Sequence, residues 1–293
     1  MNVFARRRED RPPRRMRKGM YLLPSLFTTA NLAAGYYAIS SSVLGSASNY
    51  RRFDYAAIAI GFAVLFDGID GAIARLTNTT SDFGRELDSL ADVVTFGVAP
   101  ALLAWMWGSH FLAATSDPAQ RFWVTQLGAI ISFIFLAAGA ARLARFNITL
   151  NPQPTNPGRP GRKYFVGMPI PGGAACVAVV VHLVRGAPLQ RWWVAAFWFA
   201  GVGLLAFLMV SRWRFWSAKN LDFHNRQPFW IVLVLCAIIA LVWNFSRIML
   251  FAFAVLYMLS GVWSRLHYAL RRRTTLPPPP AQQEGPGYTT GQG

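Results

Sequence analysis

Residues 66–97 read FDGIDGAIARLTNTTSDFGRELDSLADVVTFG, and this stretch decides how the rest of the chain is read. It carries Asp67, Asp70, Asp88 and Asp92 at the ends of two apolar runs. An acid inside a membrane-spanning run is costly, and function is its default meaning. Asp67 and Asp70 stand three apart, and Asp88 and Asp92 four apart, so each pair shares one face of a helix. The polar stretch TNTTSD at 77–82 predicts a turn that lets the two helices pack antiparallel. All four carboxylates then converge near one membrane surface. Asp82 precedes a helix start and reads as an N-cap rather than a ligand.

Four carboxylates with no counter-charge repel one another. Arg75 and Arg85 are too few to neutralise them, so a structural ion-pair cluster is the weaker reading. A divalent cation removes the conflict, and Mg²⁺ or Mn²⁺ prefers oxygen donors of this kind. The number of carboxylates suits two ions, an arrangement adapted to phosphoryl chemistry. Gly71, Ala74 and Gly84 keep bulk off the shared faces, which admits a nucleotide or simply a neighbouring helix. Arg75 and Arg85 read equally well as phosphate ligands or as markers of the cytoplasmic helix end.

Outward from this stretch the chain is apolar in long runs. Of its 293 residues 54% are hydrophobic and 14% charged, well below the charged share of about 25% usual in soluble domains. Runs near 20 apolar residues predict membrane helices, and about eight are present. They cover 21–44, 55–74, 90–107, 122–141, 165–184, 192–210, 229–243 and 248–263. The expected fold is therefore an all-α, polytopic transmembrane bundle. Trp105, Trp107, Trp123, Trp192, Trp213, Trp230, Trp243 and Trp263 near the run ends suit an interfacial aromatic belt.

The net charge of +17 does not indicate nucleic acid, because the basic residues lie between apolar runs and no nucleic-acid module is recognisable. Basic flanks set topology and attract anionic membrane lipids. The basic arm 1–19, the loops 143–164 and 212–227, and Arg271–Arg273 predict both termini in the cytoplasm. Arg51 and Arg52, on the opposite side in this scheme, fit it poorly. A signal peptide competes for the N-terminus, but the run 21–44 is too long for one and favours a retained anchor. A catalytic domain at 20–273 is expected, followed by a disordered Pro/Gly-rich tail at 274–293. Cys176 and Cys236 sit in apolar runs, and four scattered histidines offer no metal site.

The aspartates, glycines, alanine and arginine of this stretch follow D-x2-D-G-x2-A-R-x8-G-x3-D-x3-D at Asp67, Asp70, Gly71, Ala74, Arg75, Gly84, Asp88 and Asp92. This resembles the CDP-alcohol phosphatidyltransferase family, with every fixed position matched. The segments YLLPSLFTTANLAAGYYAI, AARLARFN and FVGMPIPGG extend the likeness across roughly the first 175 residues. They are similar to the bacterial, membrane-embedded branch that uses serine as acceptor. Ala72 stands where that branch carries a larger, often basic residue, outside the fixed motif.

The resemblance implies a six-helix catalytic core, a homodimer, a cytoplasm-facing metal site and residence in the bacterial inner membrane. It implies that Asp67, Asp70 and Asp88 ligate Mg²⁺ or Mn²⁺, and that Asp92 ligates, acts as the base, or does both. It implies that Gly71, Ala74, Arg75, Gly84 and Asn31 receive the CDP moiety of CDP-diacylglycerol. L-Serine is the acceptor expected from the flanks. Arg142, Arg145 and Asn147, at the end of the fourth run, are the candidates to bind its carboxylate. The arginines read equally well as topology-setting residues. Glycerol 3-phosphate, inositol phosphate and choline remain alternative acceptors, since the aspartate motif does not separate them. A cation transporter is the rival of another class, disfavoured because no second acidic cluster forms a matching half.

Overall fold

The computed structural model describes residues 22–77, 82–109, 112, 117–149, 155, 164–216 and 228–271. The N-terminal arm, the C-terminal tail and the turn at 78–81 lie outside the described residues. The helices are α1 (Leu22–Val43), α2 (Arg51–Thr77), α3 (Asp82–Asp92), α4 (Ala99–Ser109), α5 (Pro118–Ile148), α6 (Ile170–Leu183), α7 (Trp192–Val210) and α8 (Pro228–Arg271). The π-helical stretch Val93–Val98 joins α3 to α4. Seven of the eight apolar runs thus fall on helical segments, with the last two fused into α8 and divided by non-helical backbone at Phe245.

By length and composition, Phe83–Ser109, Pro118–Ile148, Trp192–Val210 and Asn244–Leu270 are able to cross a membrane, and Ile170–Leu183 is apolar but shorter. Tyr36, Phe62, Phe133, Phe197, Leu256 and Trp263 are all exposed, an outward apolar surface that suits lipid. The interior mixes small and large residues: Ala56, Ala59, Ile60 and Ala63 of α2 share one buried cluster with Phe96, Leu103, Phe135, Val177 and Met209.

Local chemistry explains the helix ends. Asp117 caps α5 by accepting from the Ala119 N–H at 3.1 Å, with Pro118 in the first turn. α6 closes with Arg185 and Gly186 at positive φ, and the Gly186 N–H reaches back to the Val181 carbonyl at 2.9 Å.

Two expectations are corrected. The run 165–184 is not one helix. Tyr164–Val166 forms a strand, β1, antiparallel to β2 (Arg214–Trp216), and α6 begins only at Ile170. Pro169 and Pro171 fit a helix start, and Gly167 turns the chain at φ 74°, where a Cβ would lie 2.6 Å from the Met209 carbonyl oxygen. Trp107 is not an interfacial anchor. It is 2% exposed, donates to the Ala187 carbonyl at 2.9 Å and meets Trp198 edge-on at 5.0 Å. Trp123 and Trp263 do stay exposed.

The seam between α1 and the π-helical stretch is tight. A Cβ on Gly35 would press on the Thr95 hydroxyl and stand 2.9 Å from Thr95 Cα, a backbone atom that no side-chain rotation moves away. Gly35→Val is expected to destabilise the protein by about 1–3 kcal/mol, read as a lowered unfolding temperature in detergent.

Candidate metal and nucleotide site

α2 delivers Asp67, and α3 delivers Asp88 and Asp92 one turn apart. One carboxylate oxygen from each lies within 4.8 Å of the others. Asp92 is buried, while Asp67 and Asp88 are partly exposed. Asp70, Gly71, Ala74 and Arg75 occupy the last turns of α2, but their side-chain surroundings lie outside the described residues. Gly84 is partly exposed in the first turn of α3. That helix begins at Asp82 itself rather than after it.

α1 completes the floor. Asn31 is 1% exposed, and its Nδ2 donates to Asp92 Oδ1 at 3.4 Å. Its backbone carbonyl accepts from Thr95 Oγ1 at 3.1 Å. A carboxylate can only accept, so the amide must turn its N–H to Asp92. This leaves Asn31 Oδ1 buried with no hydrogen-bond partner among the described residues. Such an acceptor calls for a donor or a cation. The three carboxylates form an all-oxygen donor set that fits Mg²⁺ or Mn²⁺.

The acceptor-side candidates separate. Arg142 is buried, lies in the electrostatic field of Asp92, and stacks over Phe146 at 5.3 Å. Arg145 instead donates to the Val210 carbonyl at 3.2 Å, tying α5 to the end of α7. Asn147 donates to Ser89 Oγ at 3.0 Å, beside Asp88. Ser89 in turn donates to the Arg85 carbonyl at 3.0 Å.

Three neighbours of the site were not singled out from sequence. Thr95 follows Asp92 by three positions, a helical spacing that pointed to the same face. Ser89 adjoins a motif aspartate. Tyr257 interacts electrostatically with Arg142 from α8, over a hundred positions away, and nothing local announced it. The π-helical stretch beginning right after Asp92 was likewise not legible, although such widened turns gather at functional sites.

Comparison with known proteins agrees with this geometry. The profile of the family described as CDP-alcohol phosphatidyltransferase matches residues 21–196. The chain is 35% identical over 220 residues to the CDP-diacylglycerol–serine O-phosphatidyltransferase of Helicobacter pylori, covering 75% of this chain and 82% of that protein. It is 31% identical over 208 residues to the Bacillus subtilis protein of the same name, covering 69% and 97%. It is 38% identical over 161 residues to the one from Saccharomyces cerevisiae, covering 54% and 52%. The match spans the aspartates, the helices that carry them and the buried arginine behind them, and the chain belongs to the CDP-alcohol phosphatidyltransferase family.

Proposed function

We propose that this chain transfers the phosphatidyl group of CDP-diacylglycerol to L-serine, yielding phosphatidylserine and CMP. The observation that carries the chemistry is the meeting of Asp67, Asp88 and Asp92 oxygens within 4.8 Å, next to the buried Asn31 amide that donates to Asp92. The relatives' names supply the acceptor.

In this reading Asp67, Asp70, Asp88 and Asp92 hold one or two Mg²⁺ or Mn²⁺ ions. When bound, the cation neutralises the pyrophosphate of the lipid nucleotide. Gly71, Ala74, Gly84 and Arg75 receive the CDP moiety, with Asn31 closing the site from α1. Asp92 accepts the proton of the serine hydroxyl. The serine oxygen then bonds to the phosphorus nearest the diacylglycerol, the bond from that phosphorus to the bridging oxygen breaks, and CMP leaves. Arg142 takes the serine carboxylate, a role suited to a buried guanidinium fork. Arg145 and Asn147 shape the same wall through their bonds to Val210 and Ser89.

The exposed apolar girdle keeps the acyl chains of the substrate in the bilayer while the headgroup reaches the aspartates. The protein is read as a multi-pass enzyme of the bacterial inner membrane, with both termini cytoplasmic and basic flanks against anionic lipids. A homodimer is the expected assembly, and no nucleic acid is a partner.

The test is CMP release by detergent-purified protein with serine, glycerol 3-phosphate, inositol phosphate or choline offered separately. Release with serine alone supports the reading, whereas release with another alcohol keeps the chemistry and replaces the acceptor. Arg142→Ala is expected to raise the KM for serine about 10–100-fold with little change in the KM for CDP-diacylglycerol, the loss of a charge-assisted pair of about 1.5–3 kcal/mol.

A further inference from the structure

A second polar constellation lies at the other end of α2. Asp54 stands thirteen residues before Asp67, about 20 Å away along the helix. Its Oδ1 lies 2.6 Å from His182 Nδ1, near the end of α6. The other ring nitrogen, His182 Nε2, lies 3.4 Å from Ser246 Oγ on α8. Three helices thus contribute an acid, an imidazole and a hydroxyl in series.

The order of atoms fixes the roles. The Asp54 carboxylate only accepts, so Nδ1 carries the ring proton in the neutral imidazole. The Nε2 lone pair is then directed at the Ser246 hydroxyl, which donates to it. This is the arrangement in which a base draws the proton from a serine while an acid orients the base, and it is recognised by geometry rather than by chain order.

Its surroundings suit a reactive group. Asp54 and His182 side chains are each 16% exposed, and Ser246 is also partly exposed, so the series opens to the outside. Ser246 directly follows the non-helical Phe245 (φ −127°, ψ 38°), at the start of the second half of α8. The positive end of that half-helix's backbone dipole therefore lies beside Oγ, next to where the carbonyl oxygen of an attacked ester would gain negative charge. Phe245, Ile248 and Val184 flank the series and are exposed, giving it an apolar rim.

We propose that Ser246, His182 and Asp54 form a nucleophilic serine site, separate from the aspartate site, that takes carboxylic esters of amphiphiles from the bilayer surface. Ser246 Oγ bonds to the ester carbonyl carbon as its proton passes to His182 Nε2. The ester C–O bond breaks, and the alcohol leaves with that proton. Water then attacks the acyl-serine, giving its proton to His182; the carboxylic acid departs and Ser246 recovers its hydrogen.

The experiment treats the full-length protein in detergent with an alkyl fluorophosphonate, which loses fluoride as the serine oxygen bonds to phosphorus. Peptide mass mapping locates the adduct, and CMP release in the same sample reports folding. Labelling of Ser246, falling by a factor of about 100 or more in His182→Gln, is expected for a general base. In Ser246→Cys, alkylation of the new thiol by iodoacetamide is expected to slow at least tenfold when His182→Gln is added, about the fall in thiolate expected when a partner imidazole is lost. Ser246→Ala is expected to keep CMP release within about twofold, since additivity holds for sites this far apart. A protein that releases CMP normally yet leaves Ser246 unlabelled overturns the proposal, and the three residues are then a clamp between helices. The same result follows if labelling of Ser246 is indifferent to His182→Gln.

Discussion

Asp92→Asn is expected to lower CMP release from CDP-diacylglycerol and serine by a factor of about 10²–10⁴, the range of a lost general base. The substitution preserves shape, and an amide still fits beside Asn31, whose Nδ2 now donates to Asp92 Oδ1 at 3.4 Å. What disappears is a charged oxygen able to take a proton. The change should appear in kcat, with the KM for serine moving little, because the lost interaction belongs to the transition state. Stopped CMP release at saturating substrates, with a monodisperse protein on size exclusion, is the measurement. Activity within threefold of the parent would remove Asp92 from the base role.

Chelation is expected to have an effect of similar size. EDTA should reduce CMP release to background, a fall of at least about a hundredfold, and added Mn²⁺ or Mg²⁺ should restore it. Asp67 and Asp88 point their oxygens at the same space as Asp92, all within 4.8 Å, so removing either charge weakens the same donor set. Asp88→Asn should raise the Mn²⁺ concentration for half-maximal activity by about 10–100-fold. Direct Mn²⁺ binding, followed by electron paramagnetic resonance, checks the same shift without turnover. Activity that survives exhaustive chelation would separate the aspartates from metal.

These two expectations draw on different levels of the chain. The aspartate spacing was readable because helical periodicity is local: three- and four-residue steps put acids on one face whatever surrounds them. The membrane class was readable for a similar reason, since hydropathy sums over a window and needs no partner. The short ribbon between β1 and β2 was not, because its pairing joins Tyr164 to Trp216 across more than fifty residues. Nor was Trp107, whose position near a run end suggested an interface until Ala187 and Trp198 closed over it.

The candidate acceptor residues show the same division. Arg142, Arg145 and Asn147 looked alike in sequence, three polar positions at the end of one run. Only packing separates them. Arg142 turns inward toward Asp92, Arg145 is taken by the carbonyl of Val210, and Asn147 by Ser89. Which face of α5 meets the site is set by how that helix lies against α7 and the π-helical stretch, and a single helix carries no record of it.

By itself, then, the sequence determined that this is a helical membrane protein with an acidic site at one end of its second and third apolar runs, because both properties follow from composition and short-range spacing. The tertiary structure alone decided that Asn31 donates to Asp92, that Tyr257 stands near Arg142, and that Asp54, His182 and Ser246 meet. Each of these joins residues from helices far apart in the chain. Such contacts depend on packing that no local pattern encodes.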